Sequence, residues 1–130
     1  MTLNGKRALV CGASAGIGRA IAIALAAEGA ELIVLARRAE RLSELCAEIA
    51  ERGGSAVPLV CDLDKRETLV ASLAPLLTKP VHILINNAGG PKGGPILEAS
   101  AEAFLEAFNR HILASHTLTR ACLLYTSPSP

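Results

Sequence analysis

Three glycines near the amino terminus, Gly12, Gly16 and Gly18, have a spacing that favours phosphate binding. Gly12 lets the chain turn sharply, Gly16 removes a Cβ where the backbone would approach a pyrophosphate, and Gly18 allows two elements to pack closely. A helix that begins in such a turn presents unpaired N–H groups and the positive end of its dipole. The predicted ligand is therefore the diphosphate of a dinucleotide.

The segments on either side of these glycines support dinucleotide binding. Residues 6–11 form a short, largely apolar run typical of a buried parallel strand, and apolar residues recur at helical spacing after the turn. Glycine-rich turns also serve as plain connections, so a purely structural turn is the alternative. The position between a strand and a helix is the one that a dinucleotide fingerprint requires, which favours a binding role.

The end of the second predicted strand indicates which nucleotide is bound. Ala36-Arg37-Arg38 stands where an acidic residue would accept hydrogen bonds from the 2′-hydroxyl of NAD. A guanidinium pairs with a 2′-phosphate, whereas a carboxylate would repel it. NADP is therefore predicted in preference to NAD, with Arg37 in contact with the 2′-phosphate. The alternative is that both arginines merely begin an exposed helix.

Strands and helices alternate four times along the chain. The predicted strands are residues 6–11, 31–36, 56–61 and 81–85. A loop rich in glycine and proline follows the fourth strand, and Ser100 is expected to cap a fourth helix in which Phe104, Phe108, Ile112 and Ser115 share one face. This alternation predicts the α/β class, as a Rossmann-type doubly wound parallel sheet of strand order 3-2-1-4, truncated after the fourth strand and fourth helix. The ligand is expected where the strand order reverses.

Composition limits the other possibilities. The 130 residues suffice for one domain, and a hydrophobic content of 51% without an apolar run of membrane length predicts no membrane partner. A net charge of +1 and an aromatic content of 2% argue against nucleic-acid binding. No signal-peptide pattern precedes the first strand, so the expected location is cytoplasmic. The four cysteines form no Cys-x-x-Cys pair and are predicted to be free thiols.

The glycine spacing and the run Asn86-Asn87-Ala88-Gly89 together resemble the short-chain dehydrogenase/reductase family, with Cys11 where that family usually has threonine. The glycine turn is similar to that of 3-oxoacyl-carrier-protein reductases. The resemblance implies an oxidoreductase acting on a small-molecule carbonyl or alcohol, and a homo-oligomer that uses the fourth helix. Asn86 is expected to tie strands together. The resemblance also implies cofactor-binding roles for Ser14 and Ile17 at the phosphates, Asp62 and Leu63 at the adenine, and Asn87, Ala88 and Gly89 at the adenosine ribose.

The chain departs from the family in its second half. Family members use a tyrosine, a lysine four residues later, a serine and a helical asparagine, but Tyr125 is not followed by such a lysine and His111 takes the place of the asparagine. His111 either holds the same water or packs on the helix surface. Read back through the genetic code, residues 122–130 match a transposase adapter used in sequencing libraries. Residues 1–121 are therefore expected to be the amino-terminal part of a single Rossmann domain, and residues 122–130 a non-native tail.

Two functional hypotheses remain. The first is an NADP-dependent short-chain oxidoreductase, 3-oxoacyl reductase-like, present here as an inactive fragment without a catalytic residue or a metal site. The alternative is a non-catalytic dinucleotide-binding sensor or scaffold on the same fold, for which His111 and the missing tyrosine would be genuine features. The glycine spacing disfavours the sugar-nucleotide epimerase branch.

Overall fold

The protein is described by a computed structural model that covers residues 1–87 and 100–126. The strands are β1 (Arg7–Cys11), β2 (Glu31–Ala36), β3 (Ser55–Val60) and β4 (Ile83–Ile85). The helices are α1 (Gly16–Ala27), α2 (Ala39–Glu51), α3 (Arg66–Leu73), α4 (Ala101–Phe108) and α5 (Ala114–Thr126). A 3₁₀ turn at Ala74–Leu76 extends α3, and a π-helical turn at Asn109–Leu113 joins α4 to α5.

The four strands form one parallel sheet in the order β3-β2-β1-β4, which confirms the predicted Rossmann arrangement. Val10 of β1 lies between Val34 of β2 and Ile85 of β4, so the carboxyl ends of these strands are at the same edge. The strand order reverses between β1 and β4 at that edge. In open α/β sheets this is where ligands bind.

Alternate residues of each strand enter two separate cores, as expected of a sheet covered on both faces. On one face, Val10 and Val34 pack with Leu42, Leu45 and other residues of α1 and α2. On the opposite face, strand residues pack with α3 and α5. The buried residues of this second core are Leu9, Cys11, Ile33, Leu35, Leu59, Cys61, Leu69, Leu73, Leu77, Val81, Leu118 and Cys122.

The fourth helical segment differs from the sequence expectation. Ser100 caps α4 as predicted, because its Oγ accepts a hydrogen bond from the Ala103 N–H at 3.1 Å. A π-helical turn interrupts this helix at Asn109–Leu113. Phe108 and Ile112, which were expected to share one face of the helix, are half exposed, at 50% and 54%, whereas Leu118 of α5 lies on another face and is buried against the sheet.

The last helix extends into the segment, residues 122–130, that was expected to be a non-native tail. α5 reaches Thr126, and Cys122 is buried in the second core. Residues 88–99 and 127–130 lie outside the described part of the chain, so the predicted loop after β4 is not described.

Candidate cofactor-binding site

The turn between β1 and α1 requires glycine at each of its three fingerprint positions, for different reasons. Gly12 has a φ of +63°, and a Cβ on it would lie 2.5 Å from the backbone oxygen of Asn87. Gly18 has no unusual φ, but its Cβ would lie 2.2 Å from the Gly12 oxygen, so α1 packs directly on the end of β1. Gly16 has a φ of +59° and no protein atom within 4 Å of a Cβ position. Open space at Gly16 is what a ligand approaching the backbone needs.

The amino terminus of α1 is available to an anion. Ala15 is its N-cap residue and provides no side-chain hydrogen bond, and the first turn holds no acidic residue. The first N–H groups of a helix have no partner within the helix, and the helix dipole places partial positive charge there. A diphosphate lying over this turn would satisfy those donors.

A cavity of about 370 Å³ lies beside this turn, at the carboxyl ends of β1, β2 and β3. It collects predicted site residues from four separate parts of the chain. Of those residues, the cavity is lined by Gly12, Ser14, Ile17, Arg37, Asp62, Leu63 and Asn87. Gly16 and Gly18 are not lining residues but shape the turn, and Ala88 and Gly89 lie outside the described residues.

Sequence reasoning did not assign every residue that lines this cavity. Ala15, Leu35, Ala36, Arg38 and Cys61 also contribute. Four of these five adjoin a predicted site residue, and Leu35 lies two residues before Arg37. Leu35 and Ala36 end β2, and Cys61 follows the last residue of β3. The signal available in the sequence was the strand end itself, because in a parallel sheet every carboxyl end reaches the same edge.

The charged side chains in the cavity are Arg37, Arg38 and Asp62. Both arginines follow β2, and Arg38 is the N-cap residue of α2. In the described part of the chain neither arginine is engaged in an ion pair. Both guanidinium groups are therefore free to pair with a phosphate, and Arg and phosphate groups form strong bidentate contacts.

Asp62 does not cap the following helix. Its Oδ1 accepts a hydrogen bond from the Asp64 N–H at 2.9 Å, while α3 begins later, at Arg66, with Lys65 as its N-cap residue. The carboxylate thus stabilises the turn after β3. This turn holds Asp62 and Leu63 at the cavity wall, where the adenine was predicted to lie.

The amide of Asn87 links β4 to β1. Its Nδ2 donates to the backbone oxygens of Cys11 and Gly12, both at 3.4 Å. Asn87 was predicted to border the ribose, whereas the strand-tying role was expected of Asn86. In the described residues it is Asn87 that makes the hydrogen bonds, and it also lines the cavity. One side chain therefore fixes the glycine turn and faces the ligand space.

His111 lies in the π-helical turn, beside a small cleft that also adjoins Cys11, Asn86 and Asn87. The histidine is exposed, and α4 and α5 on either side of the turn place it near the carboxyl end of β4. This position is compatible with either of its predicted roles.

The cysteines near the cavity are not nucleophiles at neutral pH. All four are free thiols, as predicted. Burial raises the pKa of Cys11 to about 12, with further increases from Cys122 and Cys61. Burial, and then the charge of Asp62, raises the pKa of Cys61. Because the thiolate is the reactive form, these residues act as small apolar groups.

Within residues 1–87 and 100–126, no group of His, Cys, Asp and Glu side chains could hold a metal ion. Over the same residues, no helix is long and apolar enough to cross a membrane.

The order of the strands, the glycine turn and the cavity at the switch point define a dinucleotide-binding Rossmann unit. Residues 6–127 match the family described as short chain dehydrogenase, and the chain belongs to this family of oxidoreductases. It is 38% identical over 122 residues to dehydrogenase/reductase SDR family member 11 from Bos taurus, covering 90% of this chain and 48% of the relative. It is 36% identical over 124 residues to ketoacyl reductase HetN from a Nostoc strain, covering 94% and 43%.

Solved structures show the same relationship. A metagenomic short-chain oxidoreductase in complex with NADP has a TM-score of 0.89 at 34% identity, over 96% of this chain and 58% of that one. L-Sorbose reductase from Gluconobacter frateurii, complexed with NADPH and L-sorbose, has a TM-score of 0.88 at 30% identity, over 96% and 49%. The chain thus spans about half the length of the relatives that it matches.

Proposed function

We propose that the protein is an NADP-dependent short-chain oxidoreductase, 3-oxoacyl reductase-like, which interconverts a carbonyl and a secondary alcohol, and that residues 1–121 are its cofactor-binding part. The observation that carries the proposal is that Arg37 and Arg38 lie on the wall of the cavity and, within residues 1–87 and 100–126, take part in no ion pair. They stand where NAD-binding sites have a carboxylate for the 2′-hydroxyl. A 2′-phosphate offers them the strongest partner of any part of a dinucleotide.

Each part of the cofactor has a matching part of the cavity. The diphosphate would lie over Gly16 and the first turn of α1, flanked by Ser14 and Ile17. The adenine would lie between Asp62 and Leu63 at the end of β3. Asn87, with Ala88 and Gly89 beyond the described residues, would border the adenosine ribose. When bound, the nicotinamide supplies or accepts a hydride.

The related proteins support this assignment. Two of the solved structures named above hold NADP or NADPH, and one of the relatives is a ketoacyl reductase. A carbonyl substrate class is therefore compatible with the family, although this chain spans less than half of that reductase. The part of the reaction that the described residues perform is binding and orientation of the cofactor.

Binding of NADPH and NADH to the chain tests the cofactor assignment. Replacement of Arg37 by alanine is expected to weaken NADPH about tenfold while leaving NADH unchanged, because only NADPH carries the 2′-phosphate. Replacement of Arg120, an exposed arginine of α5, is the matched control and is expected to change neither affinity. An Arg37→Ala variant that binds NADPH as tightly as the parent chain would refute this contact.

Uninterrupted DNA sequence across the codon for Ala121, read from the source sample, tests the reaction and the proposed tail. We expect it to diverge from residues 122–130 and to continue into a strand with a serine and then Tyr-x-x-x-Lys. A continuation without that tyrosine and lysine would instead support the non-catalytic sensor or scaffold. A continuous gene that encodes residues 122–130 would show that the tail is native.

The exposed apolar residues of the fourth helical segment are the candidate contact between subunits. Leu105, Phe108 and Ile112 are 61%, 50% and 54% exposed. Apolar side chains grouped on one helical segment are typical of a protein contact. We propose that the whole protein is a homo-oligomer that buries them, and that it is cytoplasmic.

A further inference from the structure

A second groove adjoins the cofactor cavity on the far side of the glycine turn. It has a volume of about 470 Å³ and lies between the amino-terminal ends of α1 and α2. Ser14 and Ala15 line both the groove and the cavity, so these two residues form the rim between them. An anion bound at this rim would be within reach of side chains from both sides.

Two arginines, Arg19 and Arg41, line the groove, and in the described residues only Arg19 takes part in an ion pair. Arg19 is paired with Glu48 across the helices, and Glu48 also accepts a hydrogen bond from Arg52 Nη2 at 2.9 Å. Arg41 is exposed and, in the part of the chain that the structure describes, belongs to no ion pair. The carboxylate of Glu48 therefore neutralises Arg19, whereas Arg41 shares the groove with Glu40 and Glu44 and, among the described residues, forms an ion pair with neither.

The position of Arg41 in α2 directs its side chain toward the rim. It is the third residue of the helix, and Arg38 is the N-cap. Side chains in a helix lean toward its amino terminus, so Arg41 covers the turn that carries Arg38. A cation in the first turn is also opposed by the helix dipole, which makes this placement slightly unfavourable for the free chain.

We infer that Arg41 is a specificity-determining residue for the 2′-phosphate, contacting it from the groove while Arg37 and Arg38 contact it from the cavity. The inference rests on the proposed NADP function and adds the residue that completes the phosphate site from α2. Glu44, which lines the same groove three residues further along α2, competes with the phosphate for Arg41. Removing the charge of Arg41 should lower the affinity for the 2′-phosphate, and removing the charge of Glu44 should raise it.

The test compares 2′,5′-ADP, which is adenosine 2′,5′-bisphosphate, with 5′-AMP, because these probes differ only in the 2′-phosphate. Binding to the 130-residue chain is measured by ligand-observed NMR titration, which also detects weak binding. We expect Arg41→Gln to reduce the preference for 2′,5′-ADP about fivefold, and Glu44→Gln to increase it about twofold. Arg66→Gln, the same charge change in the first turn of α3, is the matched control and should leave the preference unchanged.

The possible outcomes separate the inference from the proposed function. If the parent chain shows no preference for 2′,5′-ADP, or binds neither probe, the NADP proposal fails and the inference fails with it. If the parent shows the preference and Arg41→Gln retains it in full, only the inference is overturned. Equal loss of both probes in Arg41→Gln would also overturn it, since that result indicates structural damage. We expect the unfolding midpoint of this variant to equal or exceed that of the parent, because the substitution relieves the unfavourable charge at the helix end.

Discussion

Replacing Gly16 by alanine should separate the conformational role of a glycine from its role in binding. Gly16 has a φ of +59° and no protein atom within 4 Å of a Cβ position, so an alanine there meets backbone strain but no clash. Gly53, after α2, provides the matched control with a φ of +83° and the same open surroundings. Only Gly16 lies in the turn beside the cofactor cavity, between Ala15 and Ile17.

The expected stability cost is the same for both substitutions. An alanine held in the left-handed region costs about 1–2 kcal/mol, so Gly16→Ala and Gly53→Ala should each lower the free energy of unfolding by that amount. The expected effects on binding differ. A Cβ on Gly16 would occupy the space of the diphosphate, and NADPH should bind about tenfold more weakly or worse, whereas Gly53→Ala should leave its affinity unchanged.

Urea denaturation followed by circular dichroism gives the free energies of unfolding, and titration with NADPH gives the affinities. An NADPH affinity of Gly16→Ala equal to that of the parent chain would contradict an approach of the diphosphate to Gly16. An equal loss of affinity in Gly53→Ala and Gly16→Ala would also contradict it, since the loss would then follow from backbone strain and not from contact with the ligand.

Three further perturbations test the packing around the site. Gly18→Ala should lower the free energy of unfolding by about 1–3 kcal/mol, because the added Cβ would lie 2.2 Å from the backbone oxygen of Gly12. Unchanged stability in urea denaturation would contradict this close packing. Ser100→Ala should destabilise α4 by about 1 kcal/mol, because the hydrogen bond from the Ala103 N–H to the Ser100 side chain is lost. Urea denaturation measures this loss, and Ser100→Asp is the control variant that is expected to retain the cap. Burial raises the pKa of Cys11 from 9.0 to about 12, so between these pH values the folded chain keeps the thiol proton while the unfolded chain loses it. The free energy of unfolding should therefore be independent of Cys11 below pH 9 and fall by about 1.4 kcal/mol per pH unit from there toward pH 12. Cys11→Ala should reduce that slope, and an identical slope in the variant would contradict the assignment.

Much of the candidate site could be predicted because its residues are local in sequence or follow strand ends. Gly12, Gly16 and Gly18 stand close together in the chain, and the reason for glycine at each position is a matter of backbone geometry. Arg37 and Asp62 could be placed because each follows a strand, and the ends of parallel strands converge. Placing these residues at the site required the strand order but no knowledge of how side chains pack.

The arrangement of arginines could not be predicted in this way. Nothing in the spacing indicates that Arg19 pairs with Glu48, 29 residues away, or that Arg41 is left without an ion pair among the described residues. That outcome depends on how α1 and α2 pack against each other. The same applies to Asn87, whose amide rather than that of Asn86 joins β4 to β1.

The sequence by itself determined the alternation of strands and helices, the strand order and the glycine turn, because periodicity and glycine positions are properties of short segments. Only the tertiary structure decided which charges remain free and which helix face is exposed. Phe108 and Ile112 share the face that the sequence pattern made apolar, yet both are half exposed, while Ala114 and Leu118 of the same helical segment are buried. Periodicity predicts which residues share a helix face but not which face is covered, because that depends on how the segment packs on the sheet.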